Sequence, residues 1–318
     1  MKKTTKLFFA GAMALSALTL GSCSKASDDP TLPPIGGYNN SDEVGAANLV
    51  AKWSFENNFT ELKQNIAGTG TNVAFAAGAK GQCWEGSSTQ ARYAVYSAGS
   101  DVTGMNSYTL SFWMNSDSMK FPLADPTQGH GAQGIFAIVD PNGFWGGMNL
   151  FIENRSPADN DTLRVKLLVE NKRAGVIWAG QGPILRIPNA RNTWTHVVLT
   201  YDAATSRFSG YVNGVLGGKM EVPYGPALGG TYIQYANDPG GLDNPNGAPL
   251  FGALQMAPST QMVIGSHQFT TTPALNTGGT QQPWATTFAG KLDEFRIFKA
   301  ALSSSDVSAL HQLEAAGR

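Results

Sequence analysis

The sequence has few charged residues, few cysteines and no basic surplus. Only 14% of its 318 residues are charged, against roughly 25% in typical soluble domains. Long, salt-bridged helices are therefore not expected, whereas the 37 glycines favour short strands joined by turns. The formal net charge of -1 supplies no electrostatic basis for binding nucleic acid.

Several patterns that carry catalytic or metal chemistry are also missing. The four histidines are scattered, without the close spacing of a zinc site. There is no G-x-S-x-G turn to expose a nucleophilic serine and no G-x-x-x-x-G-K loop to cradle a phosphate. The two cysteines, Cys23 and Cys83, allow one disulfide at most, and we expect Cys83 to be a buried apolar thiol.

The N-terminus predicts an export signal. Three lysines precede an apolar stretch at residues 7–20, which is shorter than the about 20 apolar residues of a membrane-spanning helix. Residues 20–23, LGSC, resemble the bacterial lipobox. That resemblance implies that residues 1–22 are a signal peptide and that Cys23 is acylated, and several acyl chains anchor a protein stably. The alternative is an ordinary signal peptide with an incidental cysteine.

Residues 23–46 are rich in Pro, Gly and Asn, and we predict that they form a flexible tether. Asp28 and Asp29, which follow Lys25, resemble the acidic tag of surface-exported lipoproteins in some Gram-negative bacteria. A solvated linker explains the same residues equally well. We therefore expect an outer-membrane lipoprotein that is exposed at the cell surface, and the sequence leaves open which face of that membrane it occupies.

From residue 47 onward, apolar and polar residues alternate with the period of half-buried strands, for example at residues 49–55 and 108–114. Asn213-Gly214 is a tight-turn signal. Many short strands favour a sandwich or a barrel, and one helix is predicted at residues 303–314, with Ser303 as its N-cap. Further strands are expected near residues 71–76, 81–86, 91–97, 134–140, 147–152, 162–170, 261–265 and 287–298.

Five segments, in the family's order, resemble the LamG-like jellyroll domains of the concanavalin A-like lectin/glucanase superfamily. They are residues 49–57 (LVAKWSFEN), 81–86 (GQCWEG), 108–114 (YTLSFWM), 194–214 (WTHVVLTYD, then YVNG) and 288–303 (FAGKLDEFRIF, then ALS). The resemblance implies an all-β fold over residues 47–318. It is a two-sheet antiparallel jellyroll β-sandwich with one short C-terminal helix.

The last segment changes its alternation at Asp293 and Glu294, which predicts a β-bulge. Related domains often hold a structural Ca²⁺ between the closing strand and the turn after the opening strand. Glu56, Asn57 and Asp293 match those positions, and their oxygen atoms are the hard ligands that Ca²⁺ takes. In the alternative, these side chains cap backbone amides or face solvent.

Long loops at 117–133, 214–260 and 266–286 interrupt the family pattern, and the loops of the chain carry several aromatic residues. Sugars stack on such rings while neighbouring polar groups bind their hydroxyls. We predict ligand-binding roles for Trp145, Tyr235 and Trp284. Each ring has an alternative role, which is to keep its loop ordered.

The residues and the resemblance together predict a non-catalytic, monomeric, surface-exposed lipoprotein that binds a glycan. A protein-interaction or adhesion module is the alternative. A glycoside hydrolase or lyase ranks third, because the E-x-D-x-x-E strand of glucanase relatives is missing and Glu153 and Glu170 stand alone on their strands. Carboxylates converging from distant strands would still allow an enzyme.

Overall fold

A computed structural model describes residues 32–117, 132–153, 162–174, 184–217, 219–221, 228–236 and 247–318. The predicted signal peptide, Cys23 and the Asp28-Asp29 pair lie outside these residues, so their roles remain predictions. No helix in the described part of the chain is long and apolar enough to cross a membrane.

The described elements are almost all strands. In chain order they are β1 (Leu49–Trp53), β2 (Thr69–Thr71), β3 (Phe75–Ala77), β4 (Gln82–Glu85), β5 (Tyr93–Ser97), α1 (Ser100–Thr103), β6 (Tyr108–Asn115), β7 (Ala132–Ile138), β8 (Met148–Ile152), β9 (Leu163–Val169), β10 (Ile184–Ile187), β11 (Thr195–Asp202), β12 (Arg207–Val212), β13 (Val215–Leu216), β14 (Lys219–Glu221), β15 (Leu228–Gly229), β16 (Thr231–Ile233), β17 (Gln261–Ile264), β18 (Ala285–Thr287), β19 (Lys291–Phe298) and α2 (Ser304–Ala315).

The strands form two sheets. The first sheet has the order β13-β12-β11-β6-β19-β4-β3, with β1 also paired to β19 and β16 to β12. The second has the order β15-β14-β10-β9-β8-β7-β17-β5-β2, with β18 paired to β7. The pairs are antiparallel except for β18 and β7, which run parallel. This arrangement confirms the predicted all-β, two-sheet sandwich.

The main core lies between the two sheets. Phe295 of β19 in the first sheet contacts Phe112 of its own sheet, with ring centroids 5.5 Å apart. It also contacts Phe136 of the second sheet at 5.1 Å. Alternating residues supply this core, as expected for strands that each bury one face. Cys83 is a buried free thiol, as predicted.

The strand predictions hold, with two differences of detail. The strand expected at 71–76 is two short strands, β2 and β3, because Asn72 adopts a left-handed backbone conformation with φ 49° between them. The strand expected at 287–298 is likewise divided into β18 and β19. The predicted helix is α2, and Ser303 caps it by accepting a hydrogen bond from the backbone N–H of Asp306 at 3.1 Å.

Helix α2 covers the outer face of the first sheet. Val307, Leu310 and Leu313 of the helix pack with Val198 and Phe298 of the sheet. Val198 alternates along its strand with residues that face the main core, so the helix buries the opposite face of the sheet. One side of the sandwich is closed by this second, smaller core.

Part of the segment assigned to the tether packs on the same face. Ile35, Tyr38 and Val44 belong to the α2 cluster. The Tyr38 hydroxyl donates to Asp306 Oδ1 at 2.7 Å, and Asp42 Oδ1 lies 2.5 Å from an Arg296 nitrogen. Among the described residues, packing on the sandwich therefore extends back to about residue 35, because Val44 is buried and Ile35 and Tyr38 are partly buried in this cluster.

A buried arginine joins the helix, the segment and the sheet. The Arg296 guanidinium is fully buried and reaches Glu314 of α2 at 2.9 Å, Glu294 at 2.7 Å and Asp42 at 2.5 Å. Burial alone would lower the pKa of Arg296, but these three carboxylates outweigh it and raise that pKa. Trp113 adds an indole N–H hydrogen bond to Glu314 at 2.8 Å. This group of charges fixes how α2 docks.

Candidate functional site

Aromatic rings gather on the outer face of the second sheet. Leu150 of β8 points into the main core, so the next residue, Phe151, points outward. Trp145 and Trp284 are partly buried and pack in the same small cluster as Phe151. Two of the three predicted ligand-binding aromatic residues therefore meet on one surface.

We call Phe144, Trp145, Phe269 and Trp284 the aromatic cluster. The Trp145 and Trp284 ring centroids are 5.4 Å apart, and Phe144 stacks on Phe269 at 4.4 Å. One face of the Trp145 indole lies parallel to Phe151, at 5.9 Å and 10°. The rings thus hold two loops together, which is the alternative, loop-ordering role. Trp145 and Trp284 nevertheless remain partly exposed to solvent.

A buried glutamine anchors the loop that carries Phe144 and Trp145. The Gln268 amide donates to the backbone carbonyls of Gly143 at 2.7 Å, Phe144 at 3.0 Å and Asp140 at 3.2 Å. Its carbonyl oxygen accepts from the Asp140 N–H at 2.9 Å. The loop is therefore held in one conformation, which lowers the entropy that binding must overcome.

His267 supports the cluster from beneath. Its ring stacks on Phe269 at 4.9 Å, and its two nitrogens lie 3.1 Å from Asn149 Oδ1 and 3.3 Å from the Ala132 carbonyl oxygen. Burial lowers the pKa of His267 to about 4. The imidazole is therefore neutral near pH 7 and acts as a packed, hydrogen-bonded ring.

A polar group borders the aromatic cluster, and the sequence did not indicate it. A methyl group on Gly143 would stand 2.5 Å from Asp140 Oδ2 and 3.2 Å from Glu170 Oε2, so two carboxylates face the same point. Lys172 Nζ contacts Glu170 and lies 3.7 Å from Asp140. We call these three side chains the polar rim. Asp140 follows β7 and Glu170 follows β9, which explains why Glu170 stood alone in the sequence and Asp140 gave no signal there.

The polar rim carries one negative charge in excess when both carboxyls are ionised. Burial raises the pKa of Glu170, and the Asp140 carboxylate raises it further, while Lys172 opposes both. The Lys172 side chain is 45% exposed. The Asp140 and Glu170 side chains are only 3% and 14% exposed. The rim therefore offers the Lys172 ammonium as an accessible hydrogen-bond donor, held in place by the two carboxylates.

Tyr235 lies elsewhere. It follows β16, at the edge of the first sheet, and forms an isolated bridge with Leu250. It is partly buried, and its ring has no aromatic contact within the described residues. The structure therefore separates Tyr235 from Trp145 and Trp284.

Two of the three predicted calcium ligands lie at one turn. Gln82 N–H donates to Glu56 Oε2 at 3.1 Å, and Lys80 N–H donates to Asp293 Oδ2 at 2.9 Å. Both carboxylates thus hold the turn between β3 and β4. Capping of backbone amides is the alternative role that the sequence analysis gave for these residues in place of calcium binding.

The predicted bulge aims Asp293 at that turn. The pairing of β19 with β6 shifts register between Asp293 and Arg296, and Glu294 has φ 44°. Burial raises the pKa of Asp293 to about 8, and the negative charges of Glu294 and Glu56 add to the rise. A nearby cation would relieve this repulsion.

Asn57 is exposed and lines a neighbouring surface pocket. No group of three or more His, Cys, Asp and Glu side chains that could hold a metal ion is found in the described ranges. Glu56 and Asp293 supply hard oxygen atoms, each with lone pairs beyond those that accept backbone N–H groups. The donor chemistry of these two carboxylates fits Ca²⁺, with backbone carbonyls of the turn as the further oxygen sources.

Comparison with known protein families gives one match, to the concanavalin A-like lectin/glucanases superfamily, over residues 87–254. That span is more than half of the chain. The chain belongs to the concanavalin A-like lectin/glucanases superfamily. The resemblance drawn from the five sequence segments is therefore confirmed. The matched span includes Trp145 and Tyr235, whereas Trp284, Glu56 and Asp293 lie outside it.

Solved structures with similar folds include a domain of an extracellular arabinanase and the binding domain of a neurotoxin. Domain 4 of the arabinanase AbnA from Geobacillus stearothermophilus, solved with arabinotriose, is 18% identical, with a TM-score of 0.46 over 83% of this chain and 98% of that one. The binding domain of botulinum neurotoxin DC, solved with rat synaptotagmin II, is 12% identical, with a TM-score of 0.49 over 86% of this chain. This chain spans about half of that domain, 52%. Comparison with curated proteins found no match.

Proposed function

We propose that this domain is a non-catalytic carbohydrate-binding module and that the aromatic cluster is its glycan-binding surface. The observation that carries the proposal is the pairing of Trp145 with Trp284. Their rings lie 5.4 Å apart on an outer sheet face, partly exposed. Membership of a lectin-containing superfamily supports the proposal, although fold alone does not determine function.

The chemistry of the surface suits a sugar. The apolar C–H face of a pyranose or furanose ring packs on an indole, and the hydroxyls at its edge need hydrogen-bond partners. The polar rim lies beside Gly143, two positions before Trp145, and its exposed Lys172 supplies such a partner. Since Gln268 anchors the loop, little ordering is required on binding.

The position of the N-terminal segment supports a role at the cell surface. Residues 35–46 dock with α2 on the outer face of the first sheet, and the aromatic cluster lies on the outer face of the second. We propose that acylated Cys23 anchors the chain in the outer membrane. The anchored segment would then leave from the side opposite the glycan-binding surface.

Binding is tested with an array of polysaccharides and with affinity gels. We expect the native chain to be retarded by at least one polysaccharide and Trp284→Ala to lose at least tenfold in affinity. Tyr235→Ala is the matched aromatic control, since Tyr235 lies on the other sheet, and it should bind normally. Melting temperatures of both variants establish that they are folded.

Other outcomes would replace the proposal. If no polysaccharide binds but a defined surface protein does, the protein-interaction alternative is correct. If reducing sugars are released, the chain is a hydrolase, and Asp140 and Glu170 become the first carboxylates to replace. For the anchor, Cys23→Ala should abolish lipid labelling and membrane fractionation, and unchanged labelling would reject acylation of Cys23.

We also propose that Ca²⁺ binds at the turn between β3 and β4, held by Glu56 and Asp293 with Asn57 nearby. Calcium should raise the melting temperature of the chelator-treated protein, and Glu56→Gln should remove the rise. Asp101→Asn is the control, because Asp101 is exposed and pairs with Lys299 far from this turn. The absence of any calcium-dependent shift in the native chain would reject this site.

A further inference from the structure

A small pocket opens beside the loop that follows β1. Its volume is about 190 Å³, and it is lined by Asn57, Asn58, Phe59, Thr60, Ala67, Gly68 and Phe75. It belongs to neither the aromatic cluster nor the polar rim. Two phenyl rings and three polar side chains thus share one concave surface, a combination typical of small-molecule sites.

The walls of the pocket are rigid. The Tyr96 hydroxyl donates to the Phe59 carbonyl oxygen at 2.6 Å. A methyl group on Gly68 would stand 2.6 Å from the Tyr96 ring and 3.1 Å from the Phe59 ring, so only glycine lets these rings approach so closely. The loop itself is fixed by the buried Glu61, whose carboxylate accepts backbone N–H groups of Lys52, Lys63 and Gln64.

The backbone at the pocket mouth is strained. Phe55 and Asn57 both have φ 54°, in the left-handed region, which is a rare conformation for a bulky residue such as Phe55. This conformation buries the Phe55 ring against Trp84 and turns Asn57 outward to the pocket. Such strain is concentrated at functional sites more often than elsewhere.

Asn57 and Thr60 are the pocket's two available polar side chains. Within the described residues, neither the exposed Asn57 amide nor the partly buried Thr60 hydroxyl makes a side-chain hydrogen bond. By contrast, the Asn58 carbonyl oxygen accepts from Thr60 N–H at 3.1 Å, and its amide donates to the Glu56 carbonyl. Asn57 and Thr60 are therefore free to bind a ligand.

We propose that this pocket binds a single neutral sugar ring, as a second site independent of the aromatic cluster. The volume is below the roughly 300–1,000 Å³ of pockets that hold drug-sized ligands, so it accommodates one ring and not a longer chain. Phe59 and Phe75 provide the apolar wall for the C–H face of that ring. Asn57 and Thr60 provide the donors and acceptors for its hydroxyls.

The test uses ligand-observed saturation-transfer NMR on the full chain with a panel of free neutral monosaccharides. Ala67→Phe fills the pocket, since Ala67 is an exposed lining residue. Ala204→Phe makes the same change at an exposed turn between β11 and β12 and serves as the control. We expect one or more sugars to show saturation transfer to the Trp284→Ala chain, in which the aromatic cluster is disrupted. The signal should fall at least tenfold when Ala67→Phe is added and should not fall when Ala204→Phe is added.

One further variant, made in the same Trp284→Ala chain, defines the site. Thr60→Val keeps the branched shape and removes the hydroxyl, and it should weaken the signal severalfold. The proposal is overturned if no sugar gives a signal in the Trp284→Ala chain, or if Ala67→Phe retains that signal.

Discussion

The two outer faces of the sandwich are covered in different ways. On the first sheet, α2 and residues 35–46 pack over Val198 and Phe298, and the buried Arg296 pairs with three carboxylates. On the second sheet, the loops that carry the aromatic cluster leave Trp145 and Trp284 partly exposed beside the polar rim. The buried Arg296 on the first sheet stabilises the fold, whereas the exposed Lys172 on the second sheet remains available to a ligand.

The face of the first sheet that α2 covers, here called the closed face, contains a buried group that resembles catalytic machinery. Ser111 Oγ lies 2.9 Å from His196 Nε2, and Glu314 Oε2 lies 3.6 Å from the same nitrogen. A relay needs the carboxylate on the other ring nitrogen, and α2 buries all three side chains. Burial lowers the pKa of His196 well below its usual value. These residues belong to the closed face and hold it together.

The largest effect is expected at the centre of the closed face. Arg296→Leu would leave Glu314 buried without its arginine partner, whereas Glu294 would keep Lys52 at 3.7 Å and Lys80 at 3.9 Å. Breaking one partner of a buried pair costs about 3–5 kcal/mol. The free energy of unfolding, measured with urea, should fall by that amount. A loss below about 1 kcal/mol, within the range of an exposed ion pair, would show that this network does not hold α2 in place.

The next largest effect is expected at Gln268, which anchors the loop of the partly exposed aromatic cluster. Gln268→Leu removes the donor for three backbone carbonyls, and unsatisfied buried groups cost about 1–3 kcal/mol in total stability. Glycan affinity should also fall, although Gln268 is buried beneath the loop, because the loop of Phe144 and Trp145 loses its fixed conformation. Calorimetric titration with a bound polysaccharide measures this, and an unchanged affinity would show that the loop needs no such anchor.

The pH dependence of the closed face is expected to be smaller. Burial would raise the pKa of Asp42, but the charges of Arg296 and Lys52 outweigh burial and hold that pKa well below its usual value. The ionised Asp42 therefore contributes stability that is fully present above its unfolded pKa of about 3.9. That contribution is lost progressively as the pH falls from there through the lower pKa of the folded state.

Asp42→Asn tests this dependence. At pH 7 the variant should be less stable than the native chain by about 1 kcal/mol, because the carboxylate is largely exposed. The difference should shrink as the pH is lowered from 5 to 3. A constant difference over this range would mean that the charge of Asp42 is not what docks residues 35–46.

The smallest effect on stability is expected at the polar rim. Lys172→Met should change the free energy of unfolding by less than about 1 kcal/mol, because Lys172 is an exposed partner of its ion pairs. Glycan affinity should change severalfold, since the rim loses its only ammonium donor. A larger fall in the free energy of unfolding with unchanged glycan affinity would contradict this prediction. It would mean that Lys172, like Arg296, stabilises the fold and does not bind the ligand.

Local sequence patterns predicted most of the architecture. Period-two alternation located the strands, the Ser303 cap located α2, and the phase change at Asp293 located the bulge. Each of these depends on neighbours within a few positions, because side-chain direction in a strand and capping at a helix end are local properties.

Tertiary structure alone decided which residues meet. It brought Trp145 to Trp284 and Asp140 to Glu170, left Tyr235 on the other sheet, and docked residues 35–46 on α2. Strand order joins β7 to β17 and β18, which lie far from it in the chain. No periodic pattern encodes that order, because it arises from the way the whole chain buries its apolar faces in one sandwich.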